Sequence, residues 1–398
     1  MSLGASGLIK MIDFEVSSIC NAGCSVCMRR RDGHYSEFVS TYWSVVDVKR
    51  VLDLDIVKNL GTITMCGNFG DAMGNPDIVE IVEWLRITNP KLKITIKTNG
   101  GIGDKEKYKR LGELGVIMTF GLDGVGEKNE LYRVNVKWDK VLENVNSFVS
   151  SANPDQFEIQ FIMWAETTDQ IVPMIDFIKS LGMGKLYLRK PFTTGIKTEV
   201  YNIKGESTHF LTEISETYLF PYLDTFWEFK DLFYLRQEID NINIISKPLE
   251  ISDLGVKPRI LFPEAKYVHE TPVFKEHELK HIQKHEQQTC YSKNMLNPSD
   301  LKNSVYNVFI TYDKLLMPCC MIPPNVSNSL HHYSGQENGY QREILNKMTS
   351  LGLDNFSLKN KTLKEVFNSG ILDRFVYNDL IKGEQFNFCK ITCGKCKD

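Results

Sequence analysis

Two hydrophobic periods alternate along the first half of the chain. Met11 to Ser17 (MIDFEVS) alternates apolar and polar residues as a half-buried strand does. Asp47 to Asn59 then places Val48, Val51, Leu52 and Ile56 at helical spacing, and Gly61 ends the run. Thr62 to Cys66 is a β-branched strand run. Asn75-Pro76-Asp77 opens a helix through Arg86, with Ile78, Ile81, Val82 and Leu85 on one face. The same reading gives strands over 92–97, 116–120, 157–163 and 185–190, and helices over 104–114, 137–150 and 169–181. Six strands alternating with five helices across short connections predict parallel strands joined by right-handed crossovers. In a barrel built this way, functional groups gather at the C-terminal ends of the strands.

Beyond residue 192 the alternation breaks. Residues 193–288 are rich in aromatics, among them Tyr201, Phe210, Tyr218, Phe226 and Trp227, which suit a core or the wall of a substrate pocket. His277, His281 and His285 recur every four residues with Lys and Glu between them, and read as a solvated helix face. Asn307 to Thr311 is a strand, Tyr312-Asp313-Lys314 its turn, and Leu315 to Cys320 the return strand of a hairpin. Thr362 to Asn368 is a short helix.

Composition narrows the class. With 398 residues, 42% of them hydrophobic and 24% charged, the chain suits a folded protein of two or three units. A formal net charge of −3 provides no global field for nucleic acid or an anionic membrane. No apolar run reaches the roughly 18 residues that span a bilayer. Residues 1–10 do not read as a secretion signal, so a cytoplasmic location is expected. The ten cysteines crowd towards the two ends, with none between Cys66 and Cys290. A disulfide framework over a large fold is not distributed that way, and clustered thiols of this kind read as metal ligands.

The first cluster is Cys20-Asn21-Ala22-Gly23-Cys24-Ser25-Val26-Cys27, a C-x3-C-x2-C loop directly after the first strand. A four-iron cube normally takes four thiolates, so three leave one iron without a protein ligand. A zinc ion held by the three thiolates and a histidine such as His34 is the alternative. The loop resembles the cysteine motif of the radical S-adenosylmethionine (SAM) superfamily, although Val26 stands where an aromatic residue usually precedes the third cysteine. The resemblance implies a [4Fe-4S] cluster on Cys20, Cys24 and Cys27, with the amino and carboxylate groups of SAM on the unique iron.

Other strand ends extend the resemblance. Gly70-Asp71-Ala72 is similar to part of the family's Gly-Gly-Glu-Pro segment, which implies a contact from Gly70 and Asp71 to the ammonium of SAM. Asp71 as an ordinary helix N-terminal acid is the alternative. Thr98-Asn99-Gly100 resembles the stretch near the ribose and carboxylate. Gly121-Leu122-Asp123-Gly124, followed by Tyr132-Arg133, resembles the Ser-Leu-Asp-Gly end, with the serine hydroxyl absent at Gly121. Asn99, Asp123 and Arg133 are thereby cofactor-binding candidates. Gln160 and Arg189, polar residues in apolar runs, join them as lumen candidates, with a structural hydrogen-bonding role as the alternative for both. The glycine-rich stretches lack the spacing of a dinucleotide loop. Arg29-Arg30-Arg31 reads as a solvated loop, and Cys66 as a small buried thiol.

The terminal cysteines, in the order Cys290, a Pro-Cys-Cys hairpin end, a helix and Cys389, Cys393 and Cys396, resemble the SPASM and Twitch extensions of radical SAM enzymes. Six thiols are too few for two fully ligated cubes, so one auxiliary [4Fe-4S] cluster is implied. Its expected ligands are Cys290, Cys319, Cys393 and Cys396, with Cys389 as substitute; Cys320 remains as a hydrogen donor. A structural zinc site is the alternative. The fold expected is α/β, a partial (β/α)6 TIM-type barrel over 1–192, a connecting region over 193–288 and a cysteine-rich α+β auxiliary-cluster domain over 289–398. The resemblance implies reductive cleavage of SAM and hydrogen abstraction, in a radical SAM oxidoreductase that oxidises, cross-links or epimerises a peptide. Dehydrogenation of a small molecule such as an amino sugar, and a non-catalytic zinc-stabilised protein, are the alternatives. The expected partners are a cytosolic one-electron reductant and a peptide or small-molecule substrate, with no membrane and no nucleic acid.

Overall fold

The computed structural model describes residues 9–27, 29–31, 34–35, 39–66, 69–189, 191, 197–213, 225–228, 232, 235, 306–317, 346–372 and 375. The alternating pattern forms strands β1 (Ile9–Phe14), β4 (Thr62–Met65), β5 (Lys93–Thr98), β6 (Ile117–Gly121), β7 (Phe157–Ile162) and β8 (Lys185–Arg189). Two short pairs, β2 (Arg30–Arg31) with β3 (His34–Tyr35) and β9 (Lys197–Tyr201) with β10 (Ser207–Thr212), lie outside the main sheet. The six long-range strands pair in parallel in the order β8-β7-β6-β5-β4-β1, as crossover connections require.

The helices are α1 (Val45–Val51), α2 (Leu54–Asn59), α3 (Ile78–Thr88), α4 (Lys105–Glu113), α5 (Trp138–Val149) and α6 (Ile171–Ser180). One helix was expected over 47–59, and two form. Asp53 interrupts it: its carboxylate accepts the amide of Ile56 at 3.0 Å and starts α2 afresh, as aspartate does when it competes for backbone donors. The helix expected from Asp169 likewise begins at Ile171, after a 3-10 turn over Ala165–Gln170.

Strand alternation decides which face each residue takes. In β7, Phe157, Ile159 and Phe161 are buried, whereas Glu158, Gln160 and Ile162 are half-buried on the other face. Phe120 marks the centre of the helix-covered side, its ring 5.9 Å from Tyr108 of α4, 5.9 Å from Phe148 of α5 and 5.4 Å from Phe157. Each such side chain contributes roughly 1.5–3 kcal/mol by leaving water. The opposite, inner face carries polar groups, including Thr119, whose hydroxyl donates to Glu158 at 3.0 Å.

Both later regions contribute strands to this sheet. β11 (Thr225–Glu228) lies antiparallel beside β8. The hairpin read from the C-terminal third forms as β12 (Tyr306–Ile310) and β13 (Leu316–Met317), and β12 adds in parallel to the outer edge of β1. Its turn is held by Trp43, whose indole Nε1 donates to Thr311 O at 3.0 Å. At the tip Lys314 has φ 69°, a left-handed conformation that disfavours a side chain. Its ammonium pairs with Asp47 at 2.7 Å and lies 5.3 Å from the centre of the Trp43 ring. Helix α7 (Leu363–Asn368) starts in a capping box of Thr362 and Glu365, and Arg50 of α1 donates to the carbonyls of Leu358 and Lys361 just before it. The C-terminal segments described here therefore pack on the barrel wall. Among the described residues no helix is long and apolar enough to cross a membrane.

Candidate active site

The chain leaves β1 at its C-terminal end and runs through Val16 to Ser18 before entering the cysteine loop. This stem is fixed on two sides. Ser18 N donates to Thr41 O at 2.9 Å, and Asn75 Nδ2 bridges Val16 O and Trp43 O, both at 2.9 Å. Asp71 N donates to Ile19 O at 2.9 Å, so the segment after β4 lies directly on the stem. Gly70 makes that approach possible, since a Cβ there would stand 2.1 Å from Ser17 O.

Cys20, Cys24 and Cys27 are free thiols, Cys24 buried and the others half-buried. Two of the sulfurs receive hydrogen bonds from other loops. Asn99 Nδ2, at the end of β5, lies 3.5 Å from Cys20 Sγ, and Arg133 Nη1, following β6, lies 3.8 Å from Cys24 Sγ. The loop's own Ala22 N is 3.4 Å from Cys20 Sγ. Burial, reinforced by the negative charges of Asp71 and Cys24, pushes Cys20 up to about 12. Burial also pushes Cys24 up to about 11, against the pull of Arg133, and raises Cys27. Such thiols keep their protons unless a metal supplies compensating positive charge, and coordination deprotonates a thiol outright. Among the described residues no group of three or more His, Cys, Asp or Glu side chains is drawn together as one metal ion requires. A four-iron cube spreads its ligands over separate irons, so three free cysteines of one loop, with donors aimed at their sulfurs, fit the cube better than a single zinc ion.

The acidic and amide residues around the loop are engaged mainly with one another. Asp71 Oδ1 accepts Met73 N at 3.0 Å and Oδ2 accepts Asn99 N at 2.7 Å, which joins the ends of β4 and β5. Burial raises its pKa while these amides act against the rise. Asn99 Nδ2 also donates to Asn21 Oδ1 at 2.9 Å, and its Oδ1 accepts Gly101 N at 2.7 Å. Asp123 is fully buried: Oδ1 accepts Ile162 N at 2.5 Å and Oδ2 accepts Arg133 Nε at 2.5 Å, which joins the ends of β6 and β7. Burial raises the Asp123 carboxyl, and the Arg133 guanidinium opposes that rise. Asp71, Asn99 and Asp123 thus clamp successive strand ends together beneath the cysteine loop.

Of the other candidates, Gln160 is half-buried on the inner face beside Gly121 and Tyr187, its register partners. The Arg189 guanidinium lies 5.7 Å from the centre of the Tyr187 ring. Cys66 is half-buried at the end of β4, its amide bonded to Phe14 O. Cys290, Cys319, Cys320, Cys389, Cys393 and Cys396 lie outside the described residues, as do His277, His281 and His285.

Sequence reasoning did not single out Asn21 or Asn135. Asn21 Nδ2 donates to Gly101 O at 3.1 Å, and Asn135, at φ 66°, donates to Asn21 O at 2.9 Å. Asparagine tolerates that backbone conformation, which was the available signal. Glu15 was missed as well. It is fully buried, and its Oε1 accepts Phe69 N at 3.1 Å.

Residues 14–178 match the family model of the Radical SAM superfamily. No curated protein matches the chain. Among solved structures, the chain is similar to Streptococcus suis SuiB bound to S-adenosylmethionine, at 14% identity, covering 87% of this chain and 65% of that one, with a TM-score of 0.45. It is also similar to native anSMEcpe with bound AdoMet, at 14% identity over 97% of this chain and 88% of that one, with a TM-score of 0.45. A third similarity, to BtrN in complex with AdoMet and 2-DOIA, has 20% identity over 29% and 46% of the two chains and a TM-score of 0.23. The chain thus spans just under two thirds of the length of SuiB.

Proposed function

We propose that the chain is a radical SAM enzyme in which Cys20, Cys24 and Cys27 hold a [4Fe-4S] cluster whose fourth iron receives SAM. The observation that carries this reading is a loop of three free cysteines at the C-terminal edge of a parallel sheet, with Asn99 and Arg133 donating towards two of the sulfurs. When bound and reduced, cluster and SAM supply a 5'-deoxyadenosyl radical that abstracts a hydrogen atom from the substrate. The protein's residues position that chemistry. Asn99 and Arg133 orient the cysteine loop, Asp71 and Asp123 fix the strand ends that bear them, and the Trp43 amide and the buried Asn75 side chain hold the stem at Val16 O. The polar inner face, with Gln160 and Arg189, is the surface left for cofactor and substrate.

The finer reading is modification of a peptide by oxidation, cross-linking or epimerisation. A cytosolic one-electron reductant loads the first cluster. Cys290, Cys319, Cys393 and Cys396, with Cys389 as substitute, would hold one auxiliary [4Fe-4S] cluster, which would supply an electron acceptor for oxidation. Cys320 is the hydrogen donor if the product is an epimer.

The test is anaerobic reconstitution followed by addition of SAM and dithionite. The expected result is a brown protein that forms 5'-deoxyadenosine and holds about seven to eight irons per chain. Three to four irons remove the auxiliary cluster from the reading. A colourless, zinc-loaded protein that forms no deoxyadenosine overturns the enzymatic reading. Transfer of hydrogen into deoxyadenosine from a small amino sugar but from no peptide moves the substrate to the small-molecule class.

A further inference from the structure

Position 121 closes strand β6 with a glycine whose φ lies outside the left-handed range, so the backbone does not demand glycine there. The space does. A Cβ at this position would stand 2.8 Å from Arg133 Nη2 and 3.2 Å from Cζ, because the guanidinium fills the volume that a side chain would occupy. Arg133 is held in that volume from several directions. Its Nε donates to Asp123 Oδ2 at 2.5 Å, its side chain is only 15% exposed, and its Cζ lies 5.0 Å from the centre of the Tyr132 ring. Asp123 in turn is anchored by the Ile162 amide. The remaining face of the guanidinium brings Nη1 to 3.8 Å from Cys24 Sγ, across 109 residues of sequence.

We propose that Gly121, Asp123 and Arg133 form a built device that presses a fixed positive charge and an N–H donor against the Cys24 sulfur, and that this device raises the reduction potential of the cluster held there. The inference rests on the reading of Cys24 as a cluster ligand. Its physical basis is that reduction adds negative charge shared by the cluster sulfurs, so a nearby cation and a sulfur-directed hydrogen bond stabilise the reduced form more than the oxidised one. The glycine permits the contact, and Asp123 aims it. Arg133 is a positioning residue towards the cluster in this scheme, whatever its other protons offer a bound ligand.

The test is an EPR-monitored redox titration of the reconstituted full chain without SAM, comparing wild type, Gly121→Ala and Arg133→Lys. Gly121→Ala changes no charge, and its new Cβ meets the end of the Arg133 side chain and no backbone atom. It is expected to fold, bind iron as the wild type does and titrate at a lower midpoint potential. Arg133→Lys keeps a cation but shortens its reach, and is expected to shift the potential in the same direction. If Arg133→Lys fails to fold, Gly121→Ala alone carries the comparison. A fully iron-loaded Gly121→Ala protein with an unshifted potential overturns the inference, even if its unfolding midpoint moves, since that pattern marks a purely structural ion pair. A wild type that binds no cluster overturns the functional reading on which the inference depends, which separates the two failures.

Discussion

Replacing Gly70 by alanine tests whether the segment after β4 must lie on the stem of the cysteine loop. The added Cβ would stand 2.1 Å from Ser17 O, 2.7 Å from Ser17 C and 2.7 Å from Ser18 Cα, all three of them backbone atoms without a rotamer to yield. Non-bonded heavy atoms rest at about 3.5 Å, so the two segments must separate by more than about 1 Å. Overpacking of this kind costs about 1–3 kcal/mol. The separation also breaks the 2.9 Å bond from Asp71 N to Ile19 O, and leaving a buried donor unpaired adds about 1–3 kcal/mol. Together these amount to about 2–6 kcal/mol. The assay is anaerobic urea unfolding followed by far-UV circular dichroism, with iron content measured after reconstitution. Gly182→Ala is the control, because it has φ 72° but nothing within 4 Å of the new Cβ, so only backbone strain of about 1–2 kcal/mol is expected. If Gly70→Ala costs no more than Gly182→Ala and retains full iron, the close approach does not hold the loop and the reasoning is refuted.

Three further outcomes follow from other contacts. Lys314 bears a left-handed backbone at φ 69°, so Lys314→Gly is expected to be more stable than Lys314→Ala by about 1–2 kcal/mol in thermal or urea unfolding; equal stabilities would remove strain as a factor. Partial burial alone would raise the Asp47 carboxyl, but hydrogen bonds from Lys314 and Arg50 outweigh it and hold the group below the usual carboxylate range. The unfolded chain therefore takes up that proton at higher pH than the folded one. The resulting stability is complete above the unfolded value of about 3.9 and is lost as pH falls through the lower folded value. The gap between wild type and Asp47→Asn, less than about 1 kcal/mol for a pair that water still reaches, is expected to close in acid; a gap that widens there contradicts the assignment. Asp71→Asn removes one of two acceptors facing Met73 N and Asn99 N and is expected to cost about 1.5–3 kcal/mol at pH 8, with a neutral effect in urea unfolding ruling out the clamp.

The order of the central strands was legible because each apolar run is bounded by a cap or a glycine that the structure uses locally, such as Asp104 accepting Lys107 N at the start of α4. The broken helix at Asp53 was not legible, because the same aspartate reads equally well as an exposed helix residue until its side chain turns back to cap. Partner choice was harder still. Tyr306–Ile310 reads as a strand, yet nothing in five residues says that it joins β1 rather than forming a sheet of its own. At the candidate site, residue types were readable while their division of labour was not. Asp71, Asn99 and Asp123 stand where a cofactor contact was expected, and they also tie together the structure around the loop: the two carboxylates join strand ends, and the Asn99 side chain bonds Asn21. Gly121 looked like a lost hydroxyl. It is space for a guanidinium that arrives from a later loop, a relation no local pattern encodes.

The placement of β12 on the outer edge of β1 has a consequence for biosynthesis. Strand β1 leaves the ribosome well before its neighbour on that side, and the bond from Trp43 to Thr311 joins positions 268 residues apart. Throughout that interval the nascent sheet carries an unsatisfied edge, open to pairing with another chain. Cutting the gene before codon 306 would make that transient condition permanent, so the barrel is expected to aggregate when expressed without its C-terminal hairpin.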